Sequence, residues 1–248
     1  MKNTILCAAM AAMLFAVSCQ KDNSQEDNSA ISKAQKQDWL TADLNSEFAD
    51  SQKKVTAYLL PVEDVAKLIN TPDVLNVRFV LGYENNTIQI DVVGVDKEGN
   101  ELGTVKSKIL KEADYGTELA KLNQLSVSKT KKRTALQNEH LLSPQAAFAG
   151  IEAWQQKLNT VSDLNEITSY NGDRFVHFTL EAEVLQAMIN KSSANIGVFL
   201  GLNPKGKVTT ILVGLDKNNA VKKASLTSKE ELGDDDDVYD GVRPSPPY

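Results

Sequence analysis

Two stretches of this chain share one pattern, and that pattern decides the predicted fold. Residues 55–97 read VTAYLLPVEDVAKLINTPDVLNVRFVLGYENNTIQIDVVGVDK, and residues 176–217 read VHFTLEAEVLQAMINKSSANIGVFLGLNPKGKVTTILVGLDK. The identical aligned positions are Glu63/Glu183, Ile69/Ile189, Asn70/Asn190, Asn76/Asn195, Leu81/Leu200, Gly82/Gly201, Val93/Val213, Gly94/Gly214, Asp96/Asp216 and Lys97/Lys217. So many matches in one order indicate an internal repeat.

Each stretch predicts the same series of elements. An alternating apolar strand is followed by a short helix with carboxylates in its first turn, and then by a hairpin. Asn85 and Asn86 mark the first hairpin turn, and residues 204–206 mark the second. A long helix is predicted ahead of each stretch, over 30–49 and 143–161, and each of these helices carries a tryptophan, Trp39 or Trp154.

The predicted fold class is therefore α+β, with two tandem α-β-α-β-β units. Each unit is expected to form an antiparallel sheet covered by helices, and the two units are related as an internal duplication. We also expect the faces around the two tryptophans to form the seam between the units. The predicted boundaries are a signal peptide (1–18), a polar tether (19–29), the first repeat (30–100), a linker (101–142), the second repeat (143–225) and an acidic, proline-rich tail (226–248) that is disordered or loosely held.

The N-terminus combines a short apolar run with a cysteine. Lys2 precedes an apolar stretch over 5–17, which has the length of a signal peptide and is too short to span a bilayer. The following AVSC, residues 16–19, resembles the lipobox of bacterial lipoproteins. That resemblance implies diacylglycerol on Cys19, cleavage just before it, and palmitate or another acyl chain on the new amino group. The alternative is ordinary signal cleavage that leaves a free thiol.

The residues after Cys19 suggest where the anchored protein goes. Lys21-Asp22 is similar to the export tag on surface lipoproteins of the Bacteroidota, although Asn23 interrupts the acidic run. The resemblance implies an outer-membrane protein that is lipid-anchored and displayed at the cell surface, with a periplasm-facing position as the alternative. The membrane is thus a predicted partner through the N-terminal lipid.

Charge excludes one class of partner and leaves another open. The formal net charge is −6, and an acidic chain lacks the basic face that nucleic-acid phosphates require. A local basic cluster lies at Lys129, Lys131, Lys132 and Arg133. A solvated linker explains it, and a contact with anionic glycan or lipid headgroups is the alternative.

Catalytic and metal-binding patterns are weak. The two histidines, His140 and His177, have no zinc-site spacing, and no nucleophile or phosphate-loop motif occurs, so we predict no catalytic residue, metal or cofactor. Asp96 and Asp216 recur at strand ends, where they fit turns that hydrogen-bond their own backbone. Acid–base work by this pair is the alternative.

The sequence therefore favours a non-catalytic surface lipoprotein, a binding or scaffold module for a protein or glycan partner. Tyr58, Phe79 and Tyr83 are candidates for an exposed binding face. The alternative is a cell-envelope hydrolase that uses Asp96, Asp216, His177 or other acidic residues in or between the repeats. A concave site in which titratable groups converge would favour the hydrolase.

Overall fold

The structure is a computed structural model, and it describes residues 31–127, 132–189, 193–222, 238–240 and 243–246. The predicted signal peptide and tether, with Cys19, Lys21 and Asp22, lie outside the described residues. We refer to the described residues up to 127 as the first half and to those from 132 as the second half.

Helices and antiparallel strands alternate along the chain, which confirms the α+β class. The helices are α1 (Lys33–Thr41), α2 (Ser46–Gln52), α3 (Val62–Ile69), α4 (Tyr115–Leu119), α5 (Ala135–His140), α6 (Pro144–Lys157), α7 (Leu164–Ile167) and α8 (Ala182–Met188), with short 3-10 helices at Ala120–Gln124 and Val161–Asp163. The strands are β1 (Ala57–Pro61), β2 (Asn76–Glu84), β3 (Thr87–Val95), β4 (Glu101–Val105), β5 (Lys108–Leu110), β6 (Leu141–Leu142), β7 (Ser169–Tyr170), β8 (Asp173–Arg174), β9 (His177–Glu181), β10 (Asn195–Leu202), β11 (Val208–Leu215), β12 (Val238–Asp240) and β13 (Arg243–Ser245).

The sheets are not divided between the halves as the sequence predicts. One sheet has the order β5-β1-β10-β11-β12-β6, and the other has the order β13-β9-β2-β3-β4. The leading strand of the first half, β1, therefore pairs with the hairpin of the second half, β10-β11. Strand β9 of the second half pairs in turn with the β2-β3 hairpin of the first. We call this arrangement strand exchange.

The exchanged pairings have corresponding registers. Tyr58 lies opposite Val198 in one sheet, and Phe178 lies opposite Phe79 in the other. Those four residues occupy aligned positions of the two stretches quoted above. The duplication itself stays a prediction, whereas the matched register is observed.

The cause of the exchange lies in how each leading strand ends. Pro61 ends β1 and Val62 begins α3, so no turn allows β1 to fold back on β2. The first helical N–H groups bond across the halves instead, from Val62 to the Ala194 carbonyl and from Ala182 to the Leu75 carbonyl, both at 3.0 Å. These bonds fix the leading strand of each half beside the hairpin of the other half.

The predicted first helix over 30–49 is wrong as a single element, because it divides into α1 and α2. Asn45 begins the second piece, since its side-chain oxygen accepts hydrogen bonds from the backbone N–H of Glu47 (2.9 Å) and Phe48 (3.2 Å). The second predicted helix is confirmed as α6. Ser143 caps its start, and it ends four residues earlier than the predicted end at 161.

One hydrophobic core joins both sheets. It contains inward-facing side chains of the two exchanged strands and of both hairpins, together with Trp39 and Trp154, each only 1% exposed. The two tryptophans thus lie in a core that both halves share. A second cluster lies on the outer face of the six-stranded sheet, under α6 and α4. The corresponding cluster on the other sheet is small, comprising Ile31, Val80, Val93 and Val95.

The hairpin turns agree with the sequence. Asn85 and Asn86 have φ values of 51° and 57°, as a type I′ turn requires. The second hairpin turns through Gly206, at φ 72°. Close packing explains a repeated glycine, because a Cβ on Gly82 would stand 2.6 Å from Ile31 of the segment before α1.

The predicted linker and tail are both built into the sheets, which corrects two expectations. Within 101–142, β4 pairs with β3, β5 pairs with β1, and β6 pairs with β12. Within the tail, β12 joins one sheet and β13 joins the other, and Tyr239 is fully buried. Backbone pairing with neighbouring strands orders these parts of both segments despite their polar composition. Residues 226–237 lie outside the described part of the chain.

The shared core predicts a large loss of stability from a single truncation. Trp154→Ala should lower the free energy of unfolding by about 3–5 kcal/mol, because it leaves a cavity where both halves pack. That is a large share of the roughly 5–15 kcal/mol expected for a domain. Urea unfolding measures the change, with Gln156→Ala, at an exposed position of the same helix, as the control. An unchanged midpoint for Trp154→Ala would contradict the shared core.

Candidate functional site

A depression of about 590 Å³ lies where the end of α1 meets the β7-β8 hairpin. The residues that line it are Leu40, Asn165, Glu166, Ser169, Gly172, Asp173 and Arg174. Asn171 and Gly172 form the hairpin turn, with φ values of 51° and 90°. The depression lies between the halves, because Leu40 belongs to the first half and the other residues belong to the second.

Arg174 is the fixed charge of this depression. Its Nη1 donates to the carbonyls of Trp39 (2.7 Å) and Ala42 (2.9 Å), and its Nη2 donates to the Asn165 side-chain oxygen. The guanidinium also stacks over the Trp39 ring, 4.9 Å from the centroid. Burial lowers the pKa of Arg174, while the nearby Tyr83 and Asp43 act in the opposite direction. The arginine thus closes the C-terminal end of α1 and holds the rim of the depression in place.

The remaining lining groups are suited to binding. The lining has an exposed side-chain amide, from Asn165, and two exposed carboxylates, from Glu166 and Asp173, all of which can form hydrogen bonds. Leu40 adds an apolar surface that is 42% exposed. Ser169 is the one lining hydroxyl, and it donates to the Asn165 carbonyl instead of facing a base. Such a surface can bind sugar hydroxyls or the polar main chain of a protein, and its lining holds no nucleophile–base pair.

The two recurrent aspartates are committed to turns, as the sequence predicts. The Asp96 carboxylate accepts from the backbone and side-chain nitrogens of Asn100, each at 2.8 Å. Asp216 accepts from the backbone N–H groups of Asn218 (2.7 Å) and Ala220 (2.9 Å). The side-chain hydrogen bond from Asn100 is the main cause that keeps the pKa of Asp96 below its usual value.

His177 lies on β9, opposite Val80 on one side and Ser245 on the other. Burial lowers the pKa of this histidine to about 4, and the positive charges of Arg78 and Lys36 lower it further. An imidazole in this environment is neutral at physiological pH. It is not among the residues that line the Arg174 depression.

Sequence reasoning missed a group of titratable residues that joins the C-terminal strands to the rest of the fold. His140 Nδ1 lies 3.1 Å from the Asp240 carbonyl oxygen, and His140 Nε2 lies 3.1 Å from Glu181 Oε2. Glu181 also forms an ion pair with Arg243. Burial raises the pKa of Asp240, against which a 2.8 Å hydrogen bond from Thr209 acts. His140 is only 8% exposed, so this cluster fastens the tail and does not line a cleft.

The aromatic binding face predicted from the sequence is largely wrong. Tyr58 is 1% exposed and donates its hydroxyl to the Ile88 carbonyl (2.8 Å), and Phe79 is fully buried. Alternating strand residues cannot reveal which face is inward, and here both aromatics point into the shared core. Tyr83 remains half-buried and stacks with Phe48.

Within the described residues, no group of three or more histidine, cysteine, aspartate or glutamate side chains could hold a metal ion. In the same part of the chain, no helix has the length and apolar character to cross a membrane. Comparison with protein-family models finds no match, and comparisons with curated proteins and with solved structures find no significant similarity.

The depressed pKa of His177 predicts a pH dependence of stability. The unfolded imidazole takes up a proton as the pH falls through about 6.5, whereas the folded one stays neutral until about 4. The unfolded state therefore binds more protons in this window, and the free energy of unfolding falls as the pH falls. Burial of Asp240 and Asp91 acts in the opposite direction, because it raises their folded pKa values.

A comparison with His177→Gln isolates this contribution. Urea unfolding above and within the window should show a smaller loss of stability on acidification for the variant than for the wild type. NMR titration of the wild-type imidazole should give a midpoint near 4. A midpoint at the ordinary value of 6.5, with equal acid sensitivity of the two proteins, would contradict the buried, neutral His177.

Proposed function

We propose that this protein is a non-catalytic, lipid-anchored module of the outer membrane that binds a protein or glycan partner at the cell surface. The observation that carries the proposal is the Arg174 depression. Its charged group is held by two backbone carbonyls, so the rim keeps its shape without a ligand. Pre-organisation of this kind favours binding, because little conformational freedom is lost when a partner docks.

Binding is favoured over hydrolysis because the candidate acids already have other roles. Asp96 and Asp216 accept hydrogen bonds from their own turns, and Glu181 forms an ion pair with Arg243 and lies against His140. A hydrolase would need two carboxyl groups whose pKa values are separated and which face one cleft. The two acids that line the depression, Glu166 and Asp173, are exposed, so solvent screens the interaction between their charges.

The anchor is part of the proposal and rests on the sequence. Cys19 would carry the lipid, and Lys21-Asp22 would direct the protein to the outer leaflet. The Cys19→Ala variant should leave the detergent phase in a partitioning experiment, whereas the wild type should remain in it. The intact mass of the wild type should show loss of residues 1–18 and addition of lipid. Unchanged partitioning of the variant would contradict lipidation.

The binding site is tested with variants of exposed lining residues. A polysaccharide array, or cross-linking through a photoreactive group at position 40, first identifies a glycan or protein ligand. Leu40→Ser and Asp173→Ala should then each weaken binding of that ligand. Their melting temperatures should stay the same, because neither side chain belongs to the core. Glu152→Ala, on the exposed face of α6, serves as the control.

Two outcomes would contradict this assignment. One is that the depression gives neither array signal nor cross-link on intact cells. The other is turnover of glycans, esters or peptides that Asp96→Asn or Asp216→Asn abolishes. That second result would replace the binding module with the hydrolase.

A further inference from the structure

The two sheets have different numbers of strands at corresponding edges. In the second half this edge lies near α8, and in the first half it lies near α3. Beyond β11, the six-stranded sheet continues through β12 to β6. Beyond β3, the five-stranded sheet ends at β4 within the described part of the chain. A strand that ends a sheet presents backbone N–H and C=O groups that can pair with another chain.

Register shows that β12 and β4 occupy corresponding places. Tyr239 of β12 lies opposite Leu212, and Val105 of β4 lies opposite Val92. Leu212 and Val92 are aligned positions of the two related stretches. Both Tyr239 and Val105 point into the shared core. Strand β6 therefore covers in one sheet the edge that no other described strand covers at β4 in the other.

The segment that covers β12 also covers the neighbouring helix. Strand β6 pairs with β12, with Leu141 opposite Tyr239. The preceding helix α5 packs on α8, and Thr134 ahead of it donates to Glu183 of α8 at 2.6 Å. Leu136 and Leu141 both pack against the shared core. Residues 134–142 thus fill the groove between α8 and the sheet edge.

The first half has an open groove at the corresponding place. A depression of about 370 Å³ runs between α3 and β4, and its lining is Asp64, Lys67, Leu68, Thr71, Gly103, Thr104, Val105 and Lys106. Leu68 forms part of its floor, since a Cβ on Gly103 would stand 3.0 Å from the leucine side chain. Helix α3 corresponds to α8 in the aligned stretches, and among the described residues no segment covers this groove as residues 134–142 cover the one in the other half.

We propose that the groove between α3 and β4 binds an extended peptide segment of a partner protein, which pairs with β4 as an additional antiparallel strand. This is β-augmentation, in which backbone hydrogen bonds supply affinity and alternate side chains supply specificity. By the correspondence with β6, the added strand runs along Thr104 and Val105. The residue opposite Val105 is apolar, as Leu141 is opposite Tyr239.

The charge of the groove indicates which residues the bound peptide segment should contain. Lys106 stands exposed at one end of the groove, and Lys67 on α3 is exposed along its side and paired with Asp64 at 2.9 Å. The lining groups therefore carry one net positive charge. A peptide with two adjacent apolar residues flanked by acidic residues therefore complements the charge of this groove better than a basic peptide does.

The experiment uses labelled synthetic peptides and the lipid-free chain that begins after Cys19. The probe is EDTTLVTTDE, with KKTTLVTTKK as the charge control and EDTTPPTTDE as a control that cannot form a strand. Fluorescence polarisation should show saturable binding of the first peptide only. Hydrogen exchange of the backbone amides at residues 103–105 should slow when the probe is present.

Variants test the location of binding. Lys106→Glu should weaken binding of the probe severalfold, whereas Lys97→Glu, exposed in the nearby turn, should not change it. Leu40→Ser and Asp173→Ala should not change it either, because they alter the Arg174 depression. Failure of the depression as a binding site therefore leaves the groove proposal intact, and the reverse also holds.

Three results would overturn the proposal. The first is the absence of probe binding, and the second is equal binding of the proline peptide. The third is self-association that increases with protein concentration, slows hydrogen exchange at residues 103–105 and is not reversed when the probe peptide is added. That result would assign the edge to a second copy of this chain.

Discussion

Strand exchange is the constraint on which the rest of this structure depends. The first strand of each hairpin, β10 or β2, takes its outer neighbour from the other half, β1 or β9. The bonds from Val62 to Ala194 and from Ala182 to Leu75 repeat the connection at the starts of α3 and α8. Neither half then has an inward sheet face that is complete on its own. A half of this size would bury a smaller share of its apolar surface alone than both halves bury together.

The segments outside the two repeated stretches explain how the halves come to differ. The predicted linker supplies strands to both sheets and, with α6, covers the outer face of the six-stranded sheet. The C-terminal strands add one strand to each sheet, and the contacts of His140 with Asp240 and of Glu181 with Arg243 hold them there. The edge at β4 has no such cover among the described residues. The Arg174 depression arises from the exchange as well, because β9 brings the β7-β8 hairpin to the end of α1.

The sequence predicted what depends on local pattern. Asn85-Asn86, the Ser143 cap and the turns at Asp96 and Asp216 all rest on residues within a few positions of one another. Alternation identified β1, β9 and the hairpin strands as elements. It could not identify the strands that pair with them, because alternation shows that β1 has an apolar face and does not show which hairpin packs beside it. The tail was predicted to be loose, since composition does not register the backbone pairing that orders β12 and β13.

The site residues were harder to predict for the same reason. Arg174 interacts with Trp39 and Ala42, which lie more than a hundred positions away in the chain, so no spacing in the sequence suggests the contact. His140 ends α5 and Glu181 ends β9, and the two residues meet where each also contacts a C-terminal strand. Sequence reasoning did find both histidines and both recurrent aspartates, and it assigned the aspartates to turns. Their spatial partners required the structure.

Separate expression of the two halves tests the strand exchange most directly. Residues 31–130 and 131–248 would be produced as two chains and studied by NMR alone and after mixing. Each alone should give the narrow spectrum of an unfolded or molten chain, because its hairpin lacks the exchanged strand. The mixture should give one dispersed spectrum from a one-to-one complex. Two dispersed spectra from the separate chains, unchanged on mixing, would show that each half closes its own sheet and would contradict the account.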